Sequence, residues 1–308
     1  MKGIAYCLQS TEDAATHNAL FRLFDDPVLF AQKITKTRKS MFNLLKEHPA
    51  IDLPFPTFLT LLPQLSIRQY SIASSPLHQP DRCTISYSVI SHQPASVTDP
   101  AFHGTATTFL SHLRPHDLIH VSVRKTAKRE FRLPIDPATT PLVMLCAGTG
   151  LAPFRGFIEQ RSYQLKADSC LKLAPAHLFI GCRSSTRDRL YGKDLDRWAA
   201  EGVVTLHYSF SREPESSEGC KYVSDRMKKE KDILDQMWHE NARWYVCGNR
   251  AFLEDIRRVT EEMASDAAAR SPTLERISGY DGARLTMEKE KDRILESIKE
   301  RAANDVFD

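Results

Sequence analysis

The sequence CAGTGLAPFRGF, residues 146–157, decides the fold of this chain. It follows the apolar run PLVML, residues 141–145, which is typical of a strand buried on both faces of a parallel sheet. Two glycines flank a threonine in Gly148-Thr149-Gly150, and Pro153 stands where the first turn of a helix is expected. Glycines let the backbone approach a ligand closely, and the free amides of a helix start attract anions. The stretch therefore predicts a strand, a turn with an anion site, and a helix; a tight turn without a ligand is the alternative.

Downstream of this stretch, apolar runs alternate with helical patterns. The candidate strands are residues 142–146, 177–182, 203–210 and 243–247. Such alternation predicts a doubly wound parallel sheet with helices on both faces. Several prolines precede the first strand, so we assign residues 140–308 to this domain. Residues 285–301 predict a last, highly charged amphipathic helix.

The chain before residue 140 has a different pattern. Apolar side chains recur at spacings of three and four over residues 12–65, which predicts helices separated at Pro27, Pro49 and Pro54. Residues 66–139 instead contain short β-type runs around one predicted helix at 106–113. The runs are residues 69–72, 84–90 and 118–123. Short strands separated by turns favour a small antiparallel barrel.

Composition limits the class of protein. The 308 residues suffice for two domains with separate cores, and 42% apolar and 26% charged residues are ordinary for a globular chain. A net charge of +3 is too small to indicate nucleic-acid binding. The most basic stretch, residues 124–129, lacks aromatic side chains and is interpreted as a solvated edge, which could also dock an acidic protein partner.

Cysteine usage and the absence of export signals indicate an intracellular protein. The seven cysteines show no CxxC spacing, which predicts reduced thiols. His112 and His116 lack further ligands nearby in sequence, so no metal site is expected. No apolar run of about 18 residues is present, and the N-terminus lacks a signal-peptide pattern. We expect a soluble, cytoplasmic protein.

Further short motifs place polar or reactive side chains near the ends of predicted elements. They are Arg68-Gln69-Tyr70-Ser71-Ile72-Ala73-Ser74-Ser75, Gly104-Thr105-Ala106-Thr107, Gly181-Cys182-Arg183, Phe210-Ser211-Arg212-Glu213, Lys221-Tyr222, Trp244-Tyr245-Val246-Cys247-Gly248-Asn249 and Asn304-Asp305-Val306-Phe307-Asp308. Each has an ordinary structural interpretation: a strand with one tyrosine, a threonine cap, a surface ion cluster, a buried thiol or an acidic tail. Their occurrence together favours a functional interpretation.

These motifs, with residues 146–157, resemble those of the ferredoxin–NADP reductase superfamily. Nearly the whole chain resembles the FAD/NADPH-binding half of the diflavin reductases, the NADPH–cytochrome P450 reductase family. It is most similar to the reductase part of self-sufficient P450 fatty-acid hydroxylases. The resemblance implies a helical connecting segment over 1–65, a FAD-binding antiparallel barrel over 66–139 and an NADP-binding domain over 140–308. Because only 67 residues precede Arg68, fewer than in the family, we expect an N-terminally truncated chain with an incomplete barrel.

The resemblance also implies a role for each motif. The residues expected to contact FAD are Arg68, Tyr70, Ser71, Ser86, Ser88, Gly104, Thr105, Ala106, Thr107 and, shielding the flavin, Phe307. The residues expected to hold NADPH are Gly148, Thr149 and Gly150 at the pyrophosphate, Ser211, Arg212, Lys221 and Tyr222 at the adenosine end with its 2′-phosphate, and Arg183 at the end of the preceding strand. The implied catalytic residues are Ser71, Cys247 and Asp305.

The implied function is the transfer of a hydride from C4 of NADPH to N5 of FAD. Electrons would then pass singly to an FMN domain or a haem protein such as a cytochrome P450. The alternative is a non-catalytic remnant or interaction protein that binds NADP without stable FAD. The missing barrel strands favour the alternative, whereas the intact Ser71, Cys247 and Asp305 favour the enzyme.

Overall fold

The computed structural model describes residues 2–92, 102–124, 131–269, 288–289, 291–293, 295–296 and 302–306. The chain forms two compact units. Met1–Gln69 with Ser88–Leu118 form what we term the helical unit, and Tyr70–Tyr87 with Ile119–Asp308 form the sheet unit.

Short capped helices build the helical unit. They are α1 (Lys2–Gln9), α2 (Ala14–Asp25), α3 (Pro27–Phe30) followed by a π-helical turn (Ala31–Thr35), α4 (Met41–Glu47), α5 (Phe55–Leu61) and α6 (Thr105–His112). Asp13, Asp26 and Ser40 cap α2, α3 and α4 by accepting backbone N–H bonds with their side chains. A small core forms around the fully buried Cys7 and Leu20. Strands β1 (Ser91–His92) and β2 (Phe102–His103) pair antiparallel beside α6 in sequence.

A five-stranded parallel sheet forms the centre of the sheet unit. Its strands are β3 (Leu142–Ala147), β4 (Ala176–Cys182), β5 (Thr205–Phe210), β6 (Arg243–Gly248) and β7 (Ala302–Val306), in the order β5-β4-β3-β6-β7. All four pairings are parallel. The chain moves outward from β3 to β5 and then returns to the other side of β3, so the strand order reverses between β3 and β6. The predicted doubly wound parallel sheet is confirmed.

Alternating side chains of the strands bury both faces of the sheet. On one face, Met144 and Tyr245 pack in the cluster that contains Phe154 of α7 (Leu151–Ala167) and Trp198 of α8 (Gly192–Ala200). On the other face, Leu145 and its neighbours pack on α9 (Val223–Lys229), α10 (Lys231–His239) and α11 (Arg250–Ala269). This burial on both faces explains why the strands are continuous apolar runs.

The β-type runs before residue 140 differ from their prediction. Among the described residues, the runs 69–72 and 84–90 meet in an isolated antiparallel bridge between Ile72 and Ile85. Leu118 and Val121 belong to a run without described strand structure, and their side chains are 96% and 73% exposed. A strand persists only where its backbone groups find partners, and these runs have few within the described chain. The barrel therefore stays a prediction.

Several other predictions concern residues that the structure describes only in part or not at all. Residues 288–289, 291–293 and 295–296 are helical, and most of the segment 285–301 lies outside the described chain, as do residues 125–130 and Phe307. All seven cysteines are free thiols. In the described ranges no cluster of metal-binding side chains occurs, and none of the helices there has the length and apolarity needed to cross a bilayer.

Candidate functional site

The glycine turn after β3 lies at the point where the strand order reverses. Gly148–Gly150 form one 3-10 turn, and α7 follows directly with Pro153 in its first turn. Gly148 has φ +55°, a conformation that only glycine adopts without strain. A Cβ on Gly150 would overlap the carbonyl oxygen of Cys247, with the carbonyl carbon 2.9 Å away. The turn therefore packs directly against the carboxyl end of β6.

This edge of the sheet suits a dinucleotide. In open parallel sheets, ligands bind outside the carboxyl ends of the strands where the order reverses. The start of α7 offers backbone amides and the positive end of a 17-residue helix, and its first turn contains no acidic residue. The buried Cys247 is aligned with Cys146 on β3 and with Asp305 on β7. The side chain of Asp305 lies outside the described residues.

Part of the segment expected to contact the flavin belongs to the sheet unit. Tyr70 is half-buried, and its ring meets that of Tyr87 edge-on at 6.0 Å between centroids. Ser71 is also half-buried. The hydroxyl of Ser86 lies 2.8 Å from that of Tyr191. Ser86 therefore already has one hydrogen-bond partner within the protein.

The remaining described residues expected to contact FAD belong to the helical unit. Arg68 and Ser88 are exposed. Gly104 precedes α6, and a Cβ there would lie 2.9 Å from Cβ of Ile90. Thr107 accepts the Ile90 N–H at 3.1 Å and donates to the Gly104 carbonyl at 3.3 Å. The Thr107 side chain thus fixes the loop before α6. Thr105 is exposed and Ala106 half-buried, so this helix start is accessible.

Three cations expected to bind NADPH lie in loops that follow β4 and β5. The amide of Ser211 donates to the Cys182 carbonyl, and that of Arg212 to the Arg183 carbonyl, both at 2.9 Å. These bonds join the two strand ends side by side. Arg183, Arg212 and Lys221 are exposed. No ion pair found among the described residues includes any of the three.

Lys221 and Tyr222 stand together at the start of α9. The ammonium of Lys221 lies 5.3 Å from the centroid of the exposed Tyr222 ring. Asp225 accepts the backbone N–H of Lys221 at 3.0 Å and of Tyr222 at 2.8 Å. Since these bonds use only the backbone, both side chains remain available to a ligand.

The sequence predicted no role for Glu213, which joins the loop that follows β4 to the loop that follows β5. Its carboxylate accepts hydrogen bonds from the Ser184 hydroxyl at 2.6 Å and from the Ser185 amide and hydroxyl at 2.9 and 2.7 Å. Asp188 accepts the Arg183 and Ser184 amides, each at 2.7 Å. The hydrogen bonds, from Ser184 first, lower the pKa of Glu213 from 4.5 to about 2. At neutral pH Glu213 is therefore ionised and accepts all three hydrogen bonds.

Arg226 was also missed, and it fixes the loop between β5 and α9. Its side chain is 6% exposed. It donates to the carbonyls of Tyr208 at 3.0 Å and Ser217 at 2.9 Å, and it pairs with Glu230 at 3.1 Å. A buried guanidinium with these partners positions the loop that leads to Lys221.

The low pKa of Glu213 gives a pH-dependent prediction. Its stabilising effect is complete above the unfolded value of about 4.5 and is lost as pH falls through about 2. We expect Glu213→Gln to lower the urea midpoint at pH 7, with the difference from the wild-type chain shrinking between pH 4.5 and 2. Glu215→Gln, on an exposed side chain nearby, is the control. A Glu213 difference that stays constant down to pH 2 would contradict the assignment.

Comparison with known proteins identifies two family models in the chain. A FAD binding domain matches residues 5–109, and an oxidoreductase NAD-binding domain matches residues 144–258. The expected cofactor pair, FAD and NADPH, is confirmed at the level of these domains.

Three curated relatives match most or all of the chain. A bifunctional cytochrome P450/NADPH–P450 reductase of Fusarium oxysporum is 37% identical over 308 residues, all of this chain and 27% of the relative. Its counterpart in Acremonium egyptiacum is 40% identical over 266 residues, 86% of this chain and 24% of the relative. A self-sufficient cytochrome P450 monooxygenase of Phanerodontia chrysosporium is 40% identical over 254 residues, 82% of this chain and 23% of the relative. The chain spans about a quarter of the length of these proteins.

Proposed function

Because the chain belongs to the FAD/NADPH-binding half of the NADPH–cytochrome P450 reductase family, we propose that it is an NADPH-dependent FAD oxidoreductase. One observation carries the proposal: the glycine turn at the strand reversal and the cations after β4 and β5 lie along the same edge of one sheet. That edge offers a place for a pyrophosphate and a separate place for a further phosphate.

The residues present fit NADPH. Gly148, Thr149 and Gly150 would hold the pyrophosphate at the start of α7, where no atom lies within 4 Å of an added Cβ on Gly148. Arg183, Arg212 and Lys221 are cations without described ion-pair partners, which suits the dianionic 2′-phosphate that NADH lacks. In our proposal Ser211 adds a hydroxyl there, and the exposed Tyr222 ring packs on the adenosine.

The FAD-binding residues are a proposal that the matched domain supports. We propose that Arg68 and the start of α6 (Gly104, Thr105, Ala106 and Thr107) hold the phosphates of FAD. Tyr70 would pack on the flavin ring, Ser71, Ser86 and Ser88 would donate hydroxyl hydrogen bonds, and Phe307 would cover the ring. When bound, FAD supplies a two-electron hydride acceptor that also releases electrons one at a time.

The proposed catalytic residues are Ser71, Cys247 and Asp305. Cys247 is fully buried at the carboxyl end of β6, where a polarizable sulfur tolerates a changing charge nearby. Backbone pairing of β6 with β7 aligns Asp305 with it. Ser71 would direct a hydroxyl at the flavin.

We further propose that an FMN domain or a haem protein such as a cytochrome P450 accepts the electrons. The relatives combine a P450 and its reductase in one protein by name, and this chain covers about a quarter of them. A cytoplasmic location agrees with the seven free thiols.

A visible absorption spectrum tests the proposal directly. The purified chain, with added FAD if needed, should show a protein-bound flavin that NADPH bleaches without oxygen and should reduce ferricyanide with NADPH. The alternative, a non-catalytic NADP-binding remnant, predicts a chain that binds 2′-phosphorylated nucleotides but remains colourless after reconstitution. That result would overturn the enzyme.

A further inference from the structure

Helix α7 carries a pair of nearly buried opposite charges that the proposed cofactor sites do not use. Arg155 and Glu159 are one turn apart, and their charged groups lie 3.3 Å from each other. Their side chains are only 12% and 11% exposed. Arg155 also lies 3.5 Å from Asp194 on α8. Because desolvating an ion pair offsets much of its attraction, such a pair is poorly explained by stability alone.

Both charges bind the backbone that follows Tyr70 and Ser71. The guanidinium of Arg155 donates to the Ala73 carbonyl at 2.7 Å. The carboxylate of Glu159 accepts the Ser75 amide at 2.7 Å. Between them, an ideal Cβ on Gly156 would lie only 3.3 Å from the Ser74 carbonyl oxygen. We call Arg155, Gly156 and Glu159 the α7 clamp.

The clamped backbone is bonded in turn to the neighbouring segment 84–86. The amide of Ala73 donates to the Thr84 carbonyl at 2.7 Å, and the Thr84 amide donates to the Ser74 hydroxyl at 2.9 Å. On the far side, Ser86 bonds to Tyr191, and the Arg155 guanidinium lies 4.6 Å from the centroid of the Tyr191 ring. Arg155 therefore supports both halves of this segment.

The same helix begins at the proposed pyrophosphate turn. Gly150 immediately precedes α7, and the clamp lies one to two turns further along that helix. A rigid helix thus connects the turn that would hold NADPH with the backbone two residues after Ser71. Hydride transfer depends steeply on the placement of the two reacting groups.

We propose that Arg155 and Glu159 are positioning residues that fix the flavin-contacting segment relative to the dinucleotide turn. This inference rests on the proposed function. It concerns the rate of hydride transfer rather than the binding of the NADPH phosphates. Neither side chain is among the cations proposed to bind those phosphates, which follow β4 and β5.

The first test uses the full chain without cofactor. Amide hydrogen exchange at Ser75 should accelerate about tenfold or more in Glu159→Ala, because its acceptor is removed. Glu159→Gln keeps an acceptor oxygen and should restore most of the protection. Lys166→Gln, which removes a half-exposed cation at the other end of α7, is the control and should leave Ser75 unchanged. Equal exchange at Ser75 in all variants overturns the clamp.

The second test measures single-turnover flavin reduction by NADPH in the FAD-loaded chain. Arg155→Lys keeps the charge but loses the planar fork, so reduction should slow about tenfold to a hundredfold. The Kd of NADP⁺ should stay within about twofold of the wild-type value, since its phosphates bind elsewhere. Lys166→Gln should match the wild type in both measurements.

The outcomes separate this inference from the proposed function. If NADPH does not reduce the flavin bound to the wild-type chain, both the proposed function and the positioning role are overturned. If NADPH reduces the wild-type flavin and reduces the Arg155→Lys flavin equally fast, only the positioning role is overturned. The same holds if Arg155→Lys is slower solely because it binds NADP⁺ more weakly. Slower reduction at unchanged NADP⁺ affinity, with faster Ser75 exchange in Glu159→Ala, supports it.

Discussion

Arg212→Ala is expected to raise the KM for NADPH by about tenfold to a hundredfold while leaving the KM for NADH nearly unchanged. A hydrogen bond to a charged group contributes about 1.5–3 kcal/mol, which corresponds to this range. Arg212 is exposed, has no described ion-pair partner, and its backbone is fixed to Arg183. The side chain is thus free to bind the one phosphate that distinguishes the two dinucleotides. Steady-state ferricyanide reduction with each dinucleotide measures the effect.

A matched control separates this contact from a general change of charge. Arg257→Ala removes one cation from α11, where the side chain is 76% exposed and paired with Glu261. We expect it to change neither KM, because exposed i,i+4 pairs contribute little. The NADPH-specific effect should shrink in high salt, which screens exposed charges. An equal rise in both KM values for Arg212→Ala would show that Arg212 does not bind the 2′-phosphate.

The parallel sheet could be predicted from sequence because its strands are buried on both faces. The central strands are near-continuous apolar runs, and the observed bounds of β3, β4 and β6 lie within one residue of the predicted ones. β7 was not predicted. Its sequence, Ala-Ala-Asn-Asp-Val over Ala302–Val306, lacks that pattern, and pairing with β6 determines it. The runs before residue 140 are the opposite case: strands were predicted there, and the described chain shows few. A β-type pattern does not specify which strand will pair with it.

The candidate site was predictable where its residues follow strands. Arg183 and Arg212 end consecutive apolar runs, and the carboxyl ends of parallel strands share one edge. Glu213 bonds to Ser184, which lies 29 residues earlier in the chain, and Arg226 reaches from α9 to the carbonyls of Tyr208 and Ser217, so no local pattern indicates either residue. Asp225 did leave a signal, because an acidic side chain three residues after the helix-capping position is typical of a helix start.

Gly150→Ala is expected to have the largest effect on the dinucleotide site. The added methyl group would overlap the Cys247 carbonyl, and since that atom is backbone, no rotamer change relieves the contact. Overpacking of this kind costs about 1–3 kcal/mol. It should also separate the turn from β6 and slow NADPH-dependent flavin reduction about a hundredfold, because catalysis is sensitive to displacements of about 1 Å.

Gly148→Ala isolates the contribution of that contact. Gly148 has φ +55° and no atom within 4 Å of an added Cβ, so alanine there adds backbone strain of about 1–2 kcal/mol but no overlap with Cys247. Thermal unfolding should show comparable losses for the two variants, at roughly 2–4 °C per kcal/mol. Flavin reduction by NADPH should separate them, with Gly150→Ala at least about tenfold slower than Gly148→Ala. Equal reduction rates would mean that close packing of the turn on Cys247 is not needed for hydride transfer. They would also contradict the placement of the nicotinamide at this edge of the sheet.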